Sequence, residues 1–146
     1  MKVKAWRVIA AGILFALIGQ VIHTLGAFLG MSYYTDPKYS ALWSKLMMPT
    51  AGPPPTSFMA YSLGFGIIIG ILFSLVYVWI RGGLKGKGSV SKGLFYGFIL
   101  FLVSCIPGFL SLYLLINIPL MLNVLWLVEG LIIDLIGGIV IALLVK

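Results

Sequence analysis

An all-α membrane protein, with four transmembrane helices in an up-down bundle and a short interfacial helix between the first two, is the fold class this sequence predicts. Three observations predict it. The 146 residues are 62% hydrophobic and only 9% charged, with a mean hydropathy of +1.17, whereas soluble domains carry roughly 25% charged residues. Four apolar runs each reach the length of about 20 residues that a helix needs to cross a bilayer core. The basic residues gather between those runs and at the ends of the chain.

In chain order, the first span is read at residues 6–29. Lys2, Lys4 and Arg7 precede it and would suit a secretory signal, but the apolar stretch far exceeds the usual length of about 7–15 residues and no small-residue cleavage site follows. It reads as a retained helix. An outer loop follows, in which Asp36-Pro37 starts a helix, with Asp as N-cap and Pro in the first helical position. Tyr39, Leu42, Trp43, Leu46 and Met47 then recur at helical spacing, so an amphipathic helix over 36–48 is expected, with Tyr39 and Trp43 as interfacial anchors. Pro49 and Pro53-Pro54-Pro55 stop it. The second span is read at 57–80. The linker over 81–92, RGGLKGKGSVSK, is flexible by composition. The third span, 93–116, contains Pro107-Gly108, which should kink it and free a backbone carbonyl. The fourth is read at 120–145. Residues 1–146 form one membrane domain.

Orientation follows from the cations. Lys2, Lys4, Arg7, Arg81, Lys85, Lys87, Lys92 and Lys146 fall on one side of the bundle, and Lys38 and Lys45 on the other. The basic side is the cytoplasmic one by the positive-inside rule, so both termini are expected there, in a cell (plasma or inner) membrane. The net charge of +7 is thus a topology signal, and no nucleic-acid partner is implied. Membrane lipids are the expected surroundings, with a second copy or a partner membrane protein as further contacts.

Helices in lipid associate through small residues that allow close backbone approach. Such faces run along every span: Gly12, Ala16, Gly19, Gly26 and Gly30; Ser62, Gly66, Gly70 and Ser74; Gly93, Gly97, Ser104, Gly108 and Ser111; Gly130, Gly137 and Gly138. Gly-Ile-Leu-Phe at 12–15 returns at 70–73, as a two-plus-two duplication or the chance likeness of apolar helices would leave it.

His23 lies on the small face of the first span and Asp134 on that of the fourth, so both are expected to face the bundle interior. At about 1.5 Å per residue His23 sits roughly 7 Å outward of its helix centre and Asp134 near the middle. Glu129 shares the depth of His23, Gln20 is closer to that of Asp134, and Tyr61 falls in the outer third. Pairing of His23 with Glu129, or of Gln20 with Asp134, is geometrically open. Ionisable groups at such depth cost roughly 2.5–3.5 kcal/mol on insertion scales and persist when paired, neutralised or wet. The cluster serves either as an interhelical hydrogen-bond network or as a proton path or ligand pocket. No carboxylate, His or Cys pair has metal-ligand spacing, and Cys105 is the only cysteine, so neither metal nor other cofactor is implied. No catalytic residue is assigned, because a Ser–His–carboxylate arrangement would need Ser62 or Ser104 to meet His23 and Glu129 without any local motif.

His23, Tyr33-Tyr34, the stretch from Phe73 to Tyr77, Lys92-Gly93-Leu94-Phe95-Tyr96-Gly97, Ile106-Pro107-Gly108, Trp126 and Gly137-Gly138 resemble a widespread group of small four-span prokaryotic membrane proteins of no known activity. The resemblance covers most of the chain and implies a four-helix membrane fold. Asp134 and the loop with three prolines depart from the group's pattern, so it says nothing about them.

Three functional readings follow from these residues. The first is an accessory protein acting through helix contacts. The second is an oligomeric proton- or cation-coupled transporter or channel, with Asp134, His23 and Glu129 as relay. The third is a lipid- or small-ligand-binding protein, or an intramembrane enzyme, entered beneath the Trp43 segment.

Overall fold

The computed structural model describes residues 3–50 and 53–146; Lys2, counted above among the basic residues, lies outside them. All the regular structure among the described residues is helical. Four spans are long and apolar enough to cross a membrane: α1 (Ala5–Leu29), α3 (Thr56–Ile80), a composite third span over Ser89–Leu115, and α6 (Leu120–Leu144). A short α2 (Met31–Thr35) follows α1. The third span joins α4 (Ser89–Leu100), one π turn over Phe101–Cys105 and α5 (Ile106–Leu115). A 25-residue helix is about 37 Å long at 1.5 Å per residue, enough to cross a core of about 30 Å. The chain is a small multi-pass membrane protein.

Prolines mark where the spans begin. Pro55 is the N-cap of α3 and Pro119 that of α6. Proline has a fixed φ and no N–H, so it fits best at a helix entrance, where the N–H would be unpaired anyway. Between α3 and α4 the linker turns at Gly86, whose φ of +129° is open only to glycine at low cost.

The spans lie side by side in the order α3, α1, α6, third span: α1 packs on α3 and α6, and α6 packs on α1 and α4. Neighbours are antiparallel. Two backbone crossings hold this order. A Cβ on Gly12 would stand 2.6 Å from the Ile71 nitrogen, and one on Gly70 2.9 Å from the Gly12 Cα. On the other side, a Cβ on Gly93 would stand 2.5 Å from the Ile139 Cα, and one on Gly97 would overlap the Asp134 carbonyl. The two Gly-Ile-Leu-Phe copies therefore lie against each other, with the Phe15 and Phe73 rings edge to face at 5.4 Å.

The remaining small residues divide. Gly66 meets Ala16, and Gly137 sits under the Phe15 ring. Gly19 is only in ordinary contact with Ile133, at 3.8 Å, and Gly108 faces open space. The face read along the third span therefore engages α6 through Gly93 and Gly97 but not through Gly108, because the helix is rewound between them.

The largest buried cluster reaches from mid-bundle to the end that carries the termini. Ala11, Tyr96, Leu100, Ile141 and Ala142 are buried there. Tyr96 Oη donates to the Phe73 carbonyl at 2.5 Å, and its ring meets Tyr77 at 5.1 Å, which closes α3 onto α4. Arg81 Nη1 donates to the Val145 carbonyl at 3.1 Å and Lys92 Nζ to the Arg81 carbonyl at 3.4 Å. Among the described residues no ring contact or side-chain hydrogen bond of this kind joins α3 to α5 at the opposite, loop-bearing end.

The expected amphipathic helix over 36–48 is replaced by something shorter. Asp36 does cap it, Oδ1 accepting from the Lys38 N–H at 2.9 Å, with Pro37 first in the turn. But the segment is a 3₁₀ helix that ends at Leu42, and Trp43 is extended, with ψ 135°. The physical reason is the Trp43 ring, which turns inward to lie 5.1 Å from Tyr34 and 6.4 Å from Trp126. Tyr39 instead pairs with Tyr33 at 6.4 Å, beneath the Lys38 ammonium.

Candidate functional site: a cleft inside the bundle

Three helices position the ionisable groups. On α1 and α6, His23 and Glu129 meet, with His23 Nδ1 2.7 Å from Glu129 Oε2. In this pair Nδ1–H donates and the carboxylate accepts, which leaves the far edge of the imidazole, more than half exposed, on the cleft. Glu129 itself is buried, and its Oε1 has no hydrogen-bond partner. The carboxylate lies against Gly26: any side chain there would collide with Oε1. The small face of α1 thus admits an acid from α6 as well as a helix.

One and a half turns further along α6, Asp134 is only 3% exposed. Its partner is Cys105, whose Sγ donates to Oδ2 at 3.3 Å. This contact depends on the rewound turn. Pro107 has no N–H for the carbonyl four residues back, and its ring crowds that carbonyl. The backbone responds with a π turn, in which the Ile106 N–H reaches the Phe101 carbonyl, and such turns recur at functional sites. Cys105 thereby faces α6 at Gly130, where a Cβ would stand 2.6 Å from its sulfur. Ser104 Oγ folds back onto the Leu100 carbonyl at 2.7 Å.

Gln20 does not reach Asp134. Its Nε2 donates to Met59 Sδ at 3.3 Å, since that flank of α1 faces α3, while Asp134 is held from the third span. Tyr61 stands at the cleft rim, 55% exposed. At the loop end, Trp126 Nε1 donates to Tyr34 Oη at 2.8 Å, while Trp43 Nε1 is buried without a partner. Burial pushes the Tyr34 phenol above its ordinary range; the Trp126 N–H opposes this and the charge of Glu129 reinforces it.

Between these walls run two connected chambers. The inner, of about 560 Å³, lies between α1, α3, α6 and the π turn, with Phe65, Ile69 and Phe73 lining it along with Ser104, Cys105 and Asp134. The outer, of about 380 Å³, lies under the loop, with Met31, Met47, Met48 and Met59 around Glu129. Gln20, His23, Phe58, Ser62 and Trp126 line both. These volumes fall in the range of about 300–1,000 Å³ typical of small-molecule sites.

Sequence reasoning gave no site role to Cys105, Trp126 or Tyr34. Pro107 two residues after Cys105 was the available signal for the first, since a kink re-aims the side chains just before it. The aromatic pair had no local signal, because its members lie 92 positions apart. Among the described residues no three of His, Cys, Asp and Glu converge as a metal site would require. No protein-family model, no curated protein and no solved structure matches the chain.

Proposed function

We propose that this protein binds an amphiphilic small molecule inside the membrane, in the cleft between α3 and the third span. The observation that carries this reading is the inner chamber, which sets Gln20, His23, Ser62, Ser104, Cys105 and Asp134 into a mainly apolar wall at membrane depth. Burying a polar or charged group in hydrocarbon is costly unless it is paired or wetted. A cleft that places such groups within reach of a ligand offers a use for that cost. Passage through the bundle has less support, because Phe15, Tyr77, Tyr96 and Leu100 pack together beneath the chamber. A role through helix contacts also has less, since Gly12, Gly70, Gly93 and Gly97 are engaged within the chain.

The distribution of Lys4, Arg7, Arg81, Lys85, Lys87, Lys92 and Lys146 against Lys38 and Lys45 supports termini in the cytoplasm and a chamber mouth on the outer side of a cell membrane. Reporter fusions at either terminus and within the loop test that orientation.

Native mass spectrometry of the detergent-extracted chain tests the binding. Retained ligand mass is expected on the unaltered protein and its loss in Ser62→Trp, which fills the junction of the chambers. The bound ligand should also slow alkylation of Cys105 by a membrane-permeant maleimide. If no amphiphile is retained and none protects Cys105, the reading fails.

A further inference from the structure

The charges around the cleft are unbalanced. Glu129 and Asp134 are both on its wall, yet among the described residues no Lys or Arg lines either chamber. Lys38 and Lys45 are in the loop, and the other described cations belong to the opposite end. Among the described lining residues the one basic group is His23, whose Nδ1 is already engaged by Glu129 Oε2. The second oxygen of that buried carboxylate has no partner among the described residues, and Asp134 is met by the Cys105 thiol, a weak donor, and by the Ser104 hydroxyl, neither of which carries a positive charge. An anionic ligand would therefore meet two acids with nothing to answer it.

The rest of the wall is suited to the opposite sign. Phe58, Tyr61, Phe65 and Trp126 line the inner chamber, and aromatic faces attract cations, most strongly where water is excluded. At low local dielectric the same holds for the carboxylates. A ligand arriving from lipid must bring its own apolar body, for which the phenylalanine and isoleucine side chains provide the surface.

Resting on the binding role proposed above, we infer that the cleft takes a hydrophobic organic cation, its positive charge placed between Asp134 and Glu129 and its apolar body against the aromatic wall. The ligand is a single charged centre shielded by carbon, as in a lipophilic amine or phosphonium ion.

Two shape-matched probes of opposite charge test this. Saturable binding of tetraphenylphosphonium and of tetraphenylborate is measured on the purified full chain in neutral detergent. The phosphonium is expected to bind at least tenfold tighter than the borate, and to weaken about tenfold or more in Asp134→Asn. Glu129→Gln provides a second reading if Asp134→Asn does not assemble, and the charge comparison on the unaltered chain needs neither variant. Equal affinities, or tighter borate, would overturn the cation assignment while leaving the cleft a binding site. A phosphonium preference unchanged in every variant that assembles would also overturn it, since the carboxylates would not be its cause. If neither probe binds saturably and no retained amphiphile is found, the binding role falls as well.

Discussion

Gly26 of α1 lies directly against the Glu129 carboxylate of α6, so closely that a single added methyl would occupy the position of Oε1. The closeness lets Glu129 Oε2 reach His23 Nδ1 one turn earlier on α1. Gly26→Ala should push the carboxylate aside and break the pair, at a cost of about 1–3 kcal/mol from overpacking. Gly64→Ala, which meets nothing within 4 Å, is the control and should leave stability unchanged. Thermal unfolding in detergent compares the two.

The worth of the pair itself can be separated from its packing. His23→Ala, Glu129→Gln and the double variant should show a coupling of about 1 kcal/mol, near the upper part of the range for interhelical hydrogen bonds in membranes. Each single variant should cost more than the coupling alone, because it leaves a buried partner unsatisfied. A coupling of zero would mean that the contact contributes nothing to the fold.

Cys105→Ser and Cys105→Val distinguish a donor from a volume. Serine keeps a hydrogen for Asp134 Oδ2 and should be tolerated. Valine fills the space against Gly130 but removes the donor, and should cost about 1–3 kcal/mol for the unsatisfied carboxyl. Equal stability of the two variants in denaturant titration would show that the sulfur acts only by packing.

At the crossing of α4 and α6 the tolerance is smaller still. Gly97→Val would drive a branched side chain into the Asp134 carbonyl and the Leu135 backbone, so it should prevent the third span from docking. The checks are loss of the monodisperse peak in size-exclusion chromatography and faster proteolysis of the 81–92 linker. Gly108→Val, in open space, should leave both unchanged.

Tyr34 supplies a pH-dependent term. Burial raises its phenol above the ordinary value of about 10, so above that pH the folded chain holds a proton that the unfolded chain has released. Stability contributed by the neutral phenol is complete below about pH 10 and falls as pH climbs through the raised value. Tyr34→Phe should show a smaller alkaline loss in a melting series from pH 8 to 11, together with a uniform drop of about 1 kcal/mol from the orphaned Trp126 N–H.

The spans and the fold class were legible in the residues alone. Length and hydropathy act locally, so the four apolar runs had to become helices in lipid. The sequence also put His23 and Glu129 at one depth, because helical rise is fixed at about 1.5 Å per residue. What it left undecided is which helix stands beside which and how each is rotated. Gln20 with Asp134 was as open as His23 with Glu129 until the order α3, α1, α6, third span turned Gln20 toward Met59. The inward turn of Trp43, and the meeting of Cys105 with Asp134 through the π turn before Pro107, were likewise decided by tertiary packing. Apolar periodicity in a membrane helix marks no single inward face, since lipid and core are both oily; only the close backbone crossings at Gly12 with Gly70 and Gly97 with Gly138 choose one.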